Sequence, residues 1–168
     1  GTSTNMNANE VIANRGLELM GFTKGEYQHL HPNDHVNCSQ STNDAYPTAI
    51  KLGVLLSHRD LIRAMVDLRE SLEKKAEEFN DVLKMGRTEN QDAVPMTLGQ
   101  EFSAYAVMID SAGKALDRAA YEFLNINMGA TAIGTGINSP PGYANLVTKK
   151  LSEVSGFELR RAENLVEA

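Results

Sequence analysis

Two long stretches of this 168-residue chain carry apolar residues at alternating steps of three and four, and this spacing constrains the fold most. In a helix it places the apolar side chains on one face, as in antiparallel bundle helices. We therefore expect a mostly α fold of long antiparallel helices, with short loop or hairpin segments. The stripes comprise Leu61, Met65, Leu68, Leu72, Ala76, Phe79 and Leu83, then Leu98, Phe102, Tyr105, Ile109, Ala112, Leu116, Ala119 and Phe123.

Composition excludes several classes of partner. The net charge is −6 and no basic cluster is present, which argues against nucleic acid and anionic membranes as partners. No apolar run approaches the ~20 residues that a membrane span needs. The single cysteine, Cys38, excludes an internal disulfide framework and favours a cytoplasmic location. We favour a packing role for Cys38 over that of a nucleophile, because only His35 lies near enough in sequence to serve as its base.

Shorter helices are predicted at both ends of the chain. Asn9–Met20 reads as a helix that ends at Gly21, and Tyr143–Val154 as an amphipathic helix after a Pro-Pro-Gly break. Lys24–Asn37 has the composition of a loop. The chain starts without methionine and ends in a run with helical character, Arg161–Ala168, so we expect it to be a piece of a longer protein.

Ser39–Asp44 supplies six small hydrogen-bonding residues just before a helical pattern that begins near Ala45. These residue types are the preferred N-caps, so ordinary capping is one interpretation. The positive end of a helix also binds carboxylates and phosphates, so an anion site is the other. Pro47 is expected in the first turn of this helix.

Three polar islands lie next to predicted helix ends, at 1–7, 39–44 and 86–93. If they met in space, their hydroxyl and amide groups could hold a small oxygenated anion and stabilise negative charge that develops during a reaction. Sequence spacing does not decide whether they meet. Gly129–Gly136 is rich in glycine and could bring the backbone close to a ligand or another chain, or simply form a tight loop.

These islands resemble the aspartase/fumarase superfamily, and the resemblance covers nearly the whole chain in the family's order. Gly1-Thr2-Ser3 and Gly129–Ile133 are more similar to aspartases than to fumarases. The strings that carry the resemblance are GTSTNMNANEVIANRGLELMG, HPNDHVN, SQSTNDAYPT, KMGRT, QDAVPMTLGQEF and NMGATAIGTGIN.

The resemblance implies a helical subunit of a homotetramer that converts L-aspartate reversibly to fumarate and ammonia without an organic cofactor. It assigns residues 1–43 to the end of the N-terminal lyase region and 44–168 to the first part of the central helical bundle. The alternatives are a fumarate hydratase of the same superfamily and a non-catalytic helical assembly module.

By motif, the resemblance places Thr2, Ser41 and Thr42 against the dicarboxylate substrate. Asn43 and Thr88 would lie near its amino group. Asn5, Asn7 and Asn9 read as structural amides that hold the first island in place.

His31, Asn33 and Asp34 match the second anion site of fumarases. For these three residues we favour a turn, because aspartases need not use that site. No metal-ligand spacing is evident in the chain.

Glu89 departs from the family, which usually has histidine at this position. A carboxylate repels a dicarboxylate but could attract the substrate ammonium, which is our hypothesis. A salt bridge to Arg87 or to another structural cation is the alternative.

The family's Gly-Ser-Ser loop, which supplies the catalytic serine base, has no match in these 168 residues. We therefore assign no catalytic residue in this chain and expect the base on sequence downstream. His29, His31, His35 and His58 are weaker candidates, and His58 falls within a helical pattern. We expect these residues alone to be inactive.

Overall fold

The computed structural model describes all residues, Gly1–Ala168. The chain divides into two units, the first formed by Gly1–Val54 with Phe123–Ala168 and the second by Leu55–Glu122. The elements in chain order are α1 (Thr2–Leu19), a π-helical turn (Pro32–Val36), α2 (Thr42–Glu78), β1 (Leu83–Thr88), β2 (Gln91–Thr97), α3 (Leu98–Glu122), β3 (Asn125–Ile126), α4 (Tyr143–Ser155) and β4 (Arg160–Arg161).

The second unit contains the antiparallel helix pair that the apolar stripes predict. His58 Nε2 on α2 lies 2.8 Å from Asp117 Oδ1 on α3, and Arg69 Nη1 donates to Asp110 Oδ1 at 3.4 Å. Contacts early in α2 thus match positions late in α3, which defines the antiparallel direction. The helix predicted over 98–123 matches α3, which spans Leu98–Glu122.

The prediction of one helix over 61–83 is wrong at its end. α2 stops at Glu78, and Leu83 begins strand β1, where 78% of its surface is exposed. β1 pairs antiparallel with β2, and the Val82 carbonyl accepts from Leu98 N at 2.8 Å. Leu83 fits the heptad spacing, but the hydrogen-bonded hairpin outweighs that spacing. The polar connection at 86–93 is therefore the tip of a β-hairpin.

α1 begins at Thr2, seven residues before the predicted start at Asn9, and packs Ala13 and Leu17 into the core of the first unit. The prediction that this helix ends at Gly21 is correct. Gly21 has φ = 84°, Phe22 N donates to Leu17 O, and Gly21 N donates to Glu18 O. This is a Schellman motif with glycine in the left-handed position.

The chain end of the first unit differs from the prediction. Arg161–Ala168 is not helical, since Arg160–Arg161 forms β4, which pairs in parallel with β3. Arg160 N donates to Leu124 O, and Ala162 N donates to Ile126 O. These backbone bonds satisfy the segment as a strand, whereas its helical composition is only a weak preference. The helix predicted over Tyr143–Val154 is confirmed as α4.

The expected division at residue 43 stays a prediction. Both boundaries between the two units, after Val54 and after Glu122, follow contacts within this chain, and the first falls inside α2. No helix combines the length and apolar character that a bilayer crossing requires.

Gly129 lies between β3 and α4, and we expect its replacement by alanine to destabilise the first unit. Its φ is 95°, and a Cβ there would lie 2.5 Å from the Ala144 Cβ at the start of α4. Gly25 is the matched control, because its φ is 89° but a Cβ would meet nothing within 4 Å. Gly25→Ala carries backbone strain alone, of about 1 kcal/mol. Gly129→Ala adds overpacking, which should cost about 1–3 kcal/mol more.

Urea unfolding followed by circular dichroism measures both variants. Equal losses of unfolding free energy in the two variants would show that α4 yields to the added methyl group and would contradict this prediction.

Candidate functional site

The start of α2 is a capping box. Ser41 Oγ accepts from Asn43 N at 3.2 Å, and Asp44 Oδ1 accepts from Ser41 N at 2.9 Å. The side chains thereby satisfy backbone donors that a helix end leaves open. The capping interpretation of Ser39–Asp44 is confirmed. Capping uses one of the two acceptor lone pairs of the Ser41 hydroxyl and leaves its hydrogen available to a ligand.

Asp44 also joins this helix end to a distant loop. Its side chain is fully buried, and Oδ2 accepts from Gly129 N at 3.2 Å and from Thr131 N at 2.8 Å. With Ser41 N, three backbone donors therefore surround one carboxylate. Such charge-assisted bonds compensate the removal of the charge from water. The Gly-rich segment is thus the loop that receives the start of α2.

Thr131 adopts φ = 59°, a conformation that a β-branched side chain rarely takes. The backbone there turns its N–H toward Asp44 at 2.8 Å, and the residue is buried. The bond to the carboxylate offsets strain of the order of 1–3 kcal/mol. The loop conformation therefore depends on Asp44.

Asn43 is held at both its backbone and its side chain. Nδ2 donates to Ala132 O at 2.7 Å, and the Asn43 carbonyl accepts from Asn127 Nδ2 at 3.1 Å. That carbonyl needs a partner because Pro47 lacks the N–H that would otherwise bond to it four residues on. Pro47 thus lies in the second turn of α2, one turn later than expected. Its missing donor is replaced by Asn127.

The first island forms the start of α1, on the same unit as Ser41. Thr2 is exposed in the first turn, and Asn9 is buried and donates from Nδ2 to Asn37 Oδ1 at 3.0 Å. The structural role expected of Asn9 is confirmed. Asn7 is exposed, whereas Asn5 is buried with no acceptor for its Nδ2. The structure thus joins α1 to the segment that leads into Ser41.

His31, Asn33 and Asp34 form the π-helical turn. His31 Nδ1 accepts from Asn33 N at 3.1 Å and from Asp34 N at 3.2 Å, so this nitrogen carries a lone pair rather than a proton. Its 3.5 Å approach to Asp34 Oδ2 is therefore not an ion pair. His35 Nδ1 accepts from His31 N at 2.8 Å. These bonds fit the turn interpretation, and the second anion site stays a prediction.

Thr88 and Glu89 lie on the hairpin of the second unit, and both are exposed. Glu89 and Asn90 have φ values of 47° and 68°, which define a two-residue turn of type I′. Arg87 Nε donates to Asp92 Oδ1 at 3.3 Å. Arg87 therefore pairs across the hairpin with Asp92, and the alternative of a salt bridge to Glu89 is not what the structure shows.

Lys84 anchors the hairpin base to α3 by donating to Glu101 Oε2 at 2.5 Å. This ammonium, followed by the Tyr105 hydroxyl, holds the pKa of Glu101 below its usual value. In the first unit, burial raises the pKa of Tyr143, and the negative charge of Asp44 raises it further. Tyr143 therefore stays protonated at neutral pH. No group of three or more His, Cys, Asp or Glu side chains is placed to hold a metal ion.

The importance of Asp44 was missed by sequence reasoning, which counted it as one of several capping residues. We expect Asp44→Ala to lower the free energy of unfolding by about 3 kcal/mol or more, because three backbone donors lose their acceptor. Asp60→Ala is the control. Asp60 is 78% exposed and pairs only with Arg63, so its loss should change stability by about 0.5 kcal/mol or less.

The chain has no tryptophan, so circular dichroism in urea is the appropriate measurement. Similar unfolding free energies for Asp44→Ala and Asp60→Ala would show that the loop at Gly129–Ala132 does not depend on the carboxylate.

Comparison with known proteins gives a consistent assignment. A family model described as Lyase matches residues 1–168. Aspartate ammonia-lyase of Escherichia coli (strain K12) is 59% identical over all 168 residues, which span 35% of that relative's length. The fumarate lyase:delta crystallin of Brucella melitensis bound to cobalt superposes with a TM-score of 0.95 at 53% identity, over 99% of this chain and 36% of that one.

A recombinant class II fumarase from Schistosoma mansoni superposes with a TM-score of 0.85 at 34% identity, over 98% of this chain and 38% of that chain. The match extends across both units and includes each of the polar islands. The chain thus spans about a third of the length of these relatives. It belongs to the lyase family that contains the aspartases and fumarases.

Proposed function

We propose that the whole protein is an aspartate ammonia-lyase, which converts L-aspartate reversibly to fumarate and ammonia. The observation that carries this proposal is the 59% identity to a curated aspartate ammonia-lyase across the full chain. Identity to the class II fumarase is lower, at 34%. Fumarate hydratase is therefore the second candidate.

The start of α2 supports the binding of a carboxylate. Ser41 has its hydroxyl hydrogen free, and Thr42 follows it in the first turn, where the helix dipole is positive. The Asp44 carboxylate is surrounded by three backbone donors, which offset its repulsion of a second anion. We propose that Ser41, Thr42 and Thr2 bind the substrate dicarboxylate.

Asn43 is suited to the substrate amino group. One Nδ2 hydrogen is used by Ala132 O, and this bond fixes the side chain while leaving the carbonyl oxygen Oδ1 as an acceptor for a ligand. An ammonium donates hydrogen bonds and accepts none, and therefore requires such an acceptor. We propose that Asn43 and Thr88 contact the amino group.

The chemical step needs donors around one carboxylate. Removal of a proton from Cβ creates an aci-carboxylate with an extra negative charge, after which ammonia leaves from Cα. Donors that bind this charge more strongly than the ground state lower the barrier. The loss of one such donor costs ~10²–10³ in rate at comparable sites.

The base is proposed to come from sequence outside these 168 residues, on a Gly-Ser-Ser loop. The histidines present have other roles. His29 stacks on Phe22 with ring centroids 3.8 Å apart, and His58 lies 2.8 Å from Asp117 Oδ1. His31 and His35 are occupied in the turn.

The assembly is proposed to be a homotetramer around a helical bundle. Apolar side chains on the second unit support it, since Leu61, Leu68, Val107 and Met108 are about half exposed or more within one chain. The single cysteine fits a cytoplasmic location. No organic cofactor is proposed. His31, Asn33 and Asp34 are proposed to serve the turn rather than a second anion site.

The substrate that yields fumarate distinguishes the three candidate functions, namely aspartate ammonia-lyase, fumarate hydratase and non-catalytic assembly module. We expect the full-length protein to form fumarate from aspartate and not from malate, and the 168-residue chain alone to form none. Fumarate absorbance in the ultraviolet measures all reactions. Fumarate from malate alone would identify a hydratase, no product from either would identify an assembly module, and activity of the short chain would disprove a downstream base.

Glu89 is proposed to attract the substrate ammonium from the tip of the hairpin. We expect Glu89→Gln in the full-length protein to raise the KM for aspartate and to lower turnover, because the substitution removes one negative charge. Glu70→Gln, an exposed acid on α2, is the control and should change neither constant. Unchanged KM and turnover in Glu89→Gln would leave the carboxylate without a role in binding.

A further inference from the structure

Asn43 lies in the first turn of α2 without the backbone bond that ordinarily fixes a residue there. The first N–H groups of a helix have no partner within it, so a first-turn residue is fixed through its carbonyl, which accepts from the N–H four residues on. For Asn43 that residue is Pro47, which carries no N–H. The position of Asn43 therefore depends on a donor from elsewhere in the first unit.

Asn127 supplies that donor. The residue is 5% exposed, and its Nδ2 donates to the Asn43 carbonyl at 3.1 Å. On the other side of the same amide, Oδ1 accepts from Thr48 Oγ1 at 3.4 Å. Both polar atoms of one buried amide therefore bond to α2, and these bonds fix which way the Asn127 amide faces.

The side chain of Asn43 is held by the same segment of the chain. Asn43 Nδ2 donates to Ala132 O at 2.7 Å, and Asp44 Oδ2 ties this segment to α2 through two further backbone N–H groups. The backbone and the side chain of Asn43 are thus both bonded to residues 127–132. The direction of Asn43 Oδ1 follows from these two bonds, since Nδ2 and Oδ1 belong to one planar amide.

We propose that Asn127 is a positioning residue for recognition of the substrate amino group. It acts through Asn43, whose backbone it holds so that Oδ1 faces the ammonium. The inference rests on the proposed function, in which Asn43 Oδ1 accepts from that ammonium. A misplacement of about 1 Å in a substrate-positioning group is enough to lower a rate by about 10²-fold. A purely structural amide would change stability alone, whereas Asn127 also sets how well aspartate is distinguished from a dicarboxylate without an amino group.

Succinate provides that comparison, because it has two carboxylates as aspartate does and no amino group. In the full-length protein we expect Asn127→Ala to raise the KM for aspartate about tenfold, as for a weakened hydrogen bond to a charged group. The inhibition constant of succinate should stay within about twofold, since Asn127 does not bond to Ser41 or Thr42. The ratio of the aspartate KM to the succinate inhibition constant therefore reports the positioning of Asn43.

Pro47→Ala makes the test specific, because it restores an N–H that can bond to the Asn43 carbonyl within the helix. We expect Asn127→Ala to raise the ratio about tenfold with proline at position 47, but about twofold or less in the Pro47→Ala background. The contacts of Asn127 with Thr48 and with Ala168 O are lost in both backgrounds, so they cancel in this comparison. An equal rise in both backgrounds would overturn the inference.

Asn9→Ala is the matched control. Asn9 is also 5% exposed, lies in the same unit and donates from Nδ2 to Asn37 Oδ1 at 3.0 Å. Both single variants should lower the melting temperature, because each loses a buried hydrogen bond. Only Asn127→Ala should raise the ratio, and a similar rise in Asn9→Ala, or none in Asn127→Ala, disproves the assignment. Asn127→Leu removes the donor while keeping the space filled, and it takes the place of Asn127→Ala if that variant does not fold.

Heat stabilisation by ligands separates this inference from the proposed reaction. If the unmodified full-length protein forms no fumarate from aspartate, the reaction is wrong, and melting temperatures with aspartate and with succinate then test Asn127 alone. Loss of the stabilisation by aspartate, but not by succinate, in Asn127→Ala supports the inference. Any other pattern, including a lack of stabilisation of the unmodified protein by aspartate, overturns it.

Discussion

The buried carboxylate of Asp44 is the interaction on which the first unit depends. One oxygen caps α2 through Ser41 N, and the other receives the N–H groups of Gly129 and Thr131 from a loop more than eighty residues away in sequence. A buried charge is tolerated only where donors replace its lost water. The helix end and the loop must therefore form together, since neither satisfies the carboxylate alone.

This arrangement explains several local irregularities at once. Thr131 has a left-handed conformation because its N–H must reach Asp44, and Gly129 leaves room for Ala144 at the start of α4. Pro47 removes one helix donor, and Asn127 from the same loop supplies the replacement. The positive φ of Thr131 and the missing donor of Pro47 are each unfavourable in isolation. Each is compensated by a contact between α2 and the segment from Asn127 to Ala132.

The polar groups around the start of α2 therefore form two sets, one bonded within the protein and one open to a ligand. Asp44 and Asn127 use their hydrogen bonds within the protein, whereas the Ser41 hydroxyl hydrogen and the Asn43 Oδ1 remain available. A site for a charged substrate needs rigid donors and acceptors that do not reorganise when charge develops. The buried set provides the rigidity that the available set requires.

The sequence by itself determined the helical class, the antiparallel pair, the cap at Ser41 and the family. These follow from local signals, namely residue spacing, capping chemistry and short motifs, and each is present within a few residues. It failed at Leu83 and at Arg161–Ala168, where backbone pairing with β2 and β3 outweighs helical spacing. Only the tertiary structure decided that Asp44 bonds to Gly129 and Thr131 and that Asn127 compensates for Pro47. Hydrogen bonds between distant segments depend on how the chain folds back, and local composition does not encode which donor meets which acceptor.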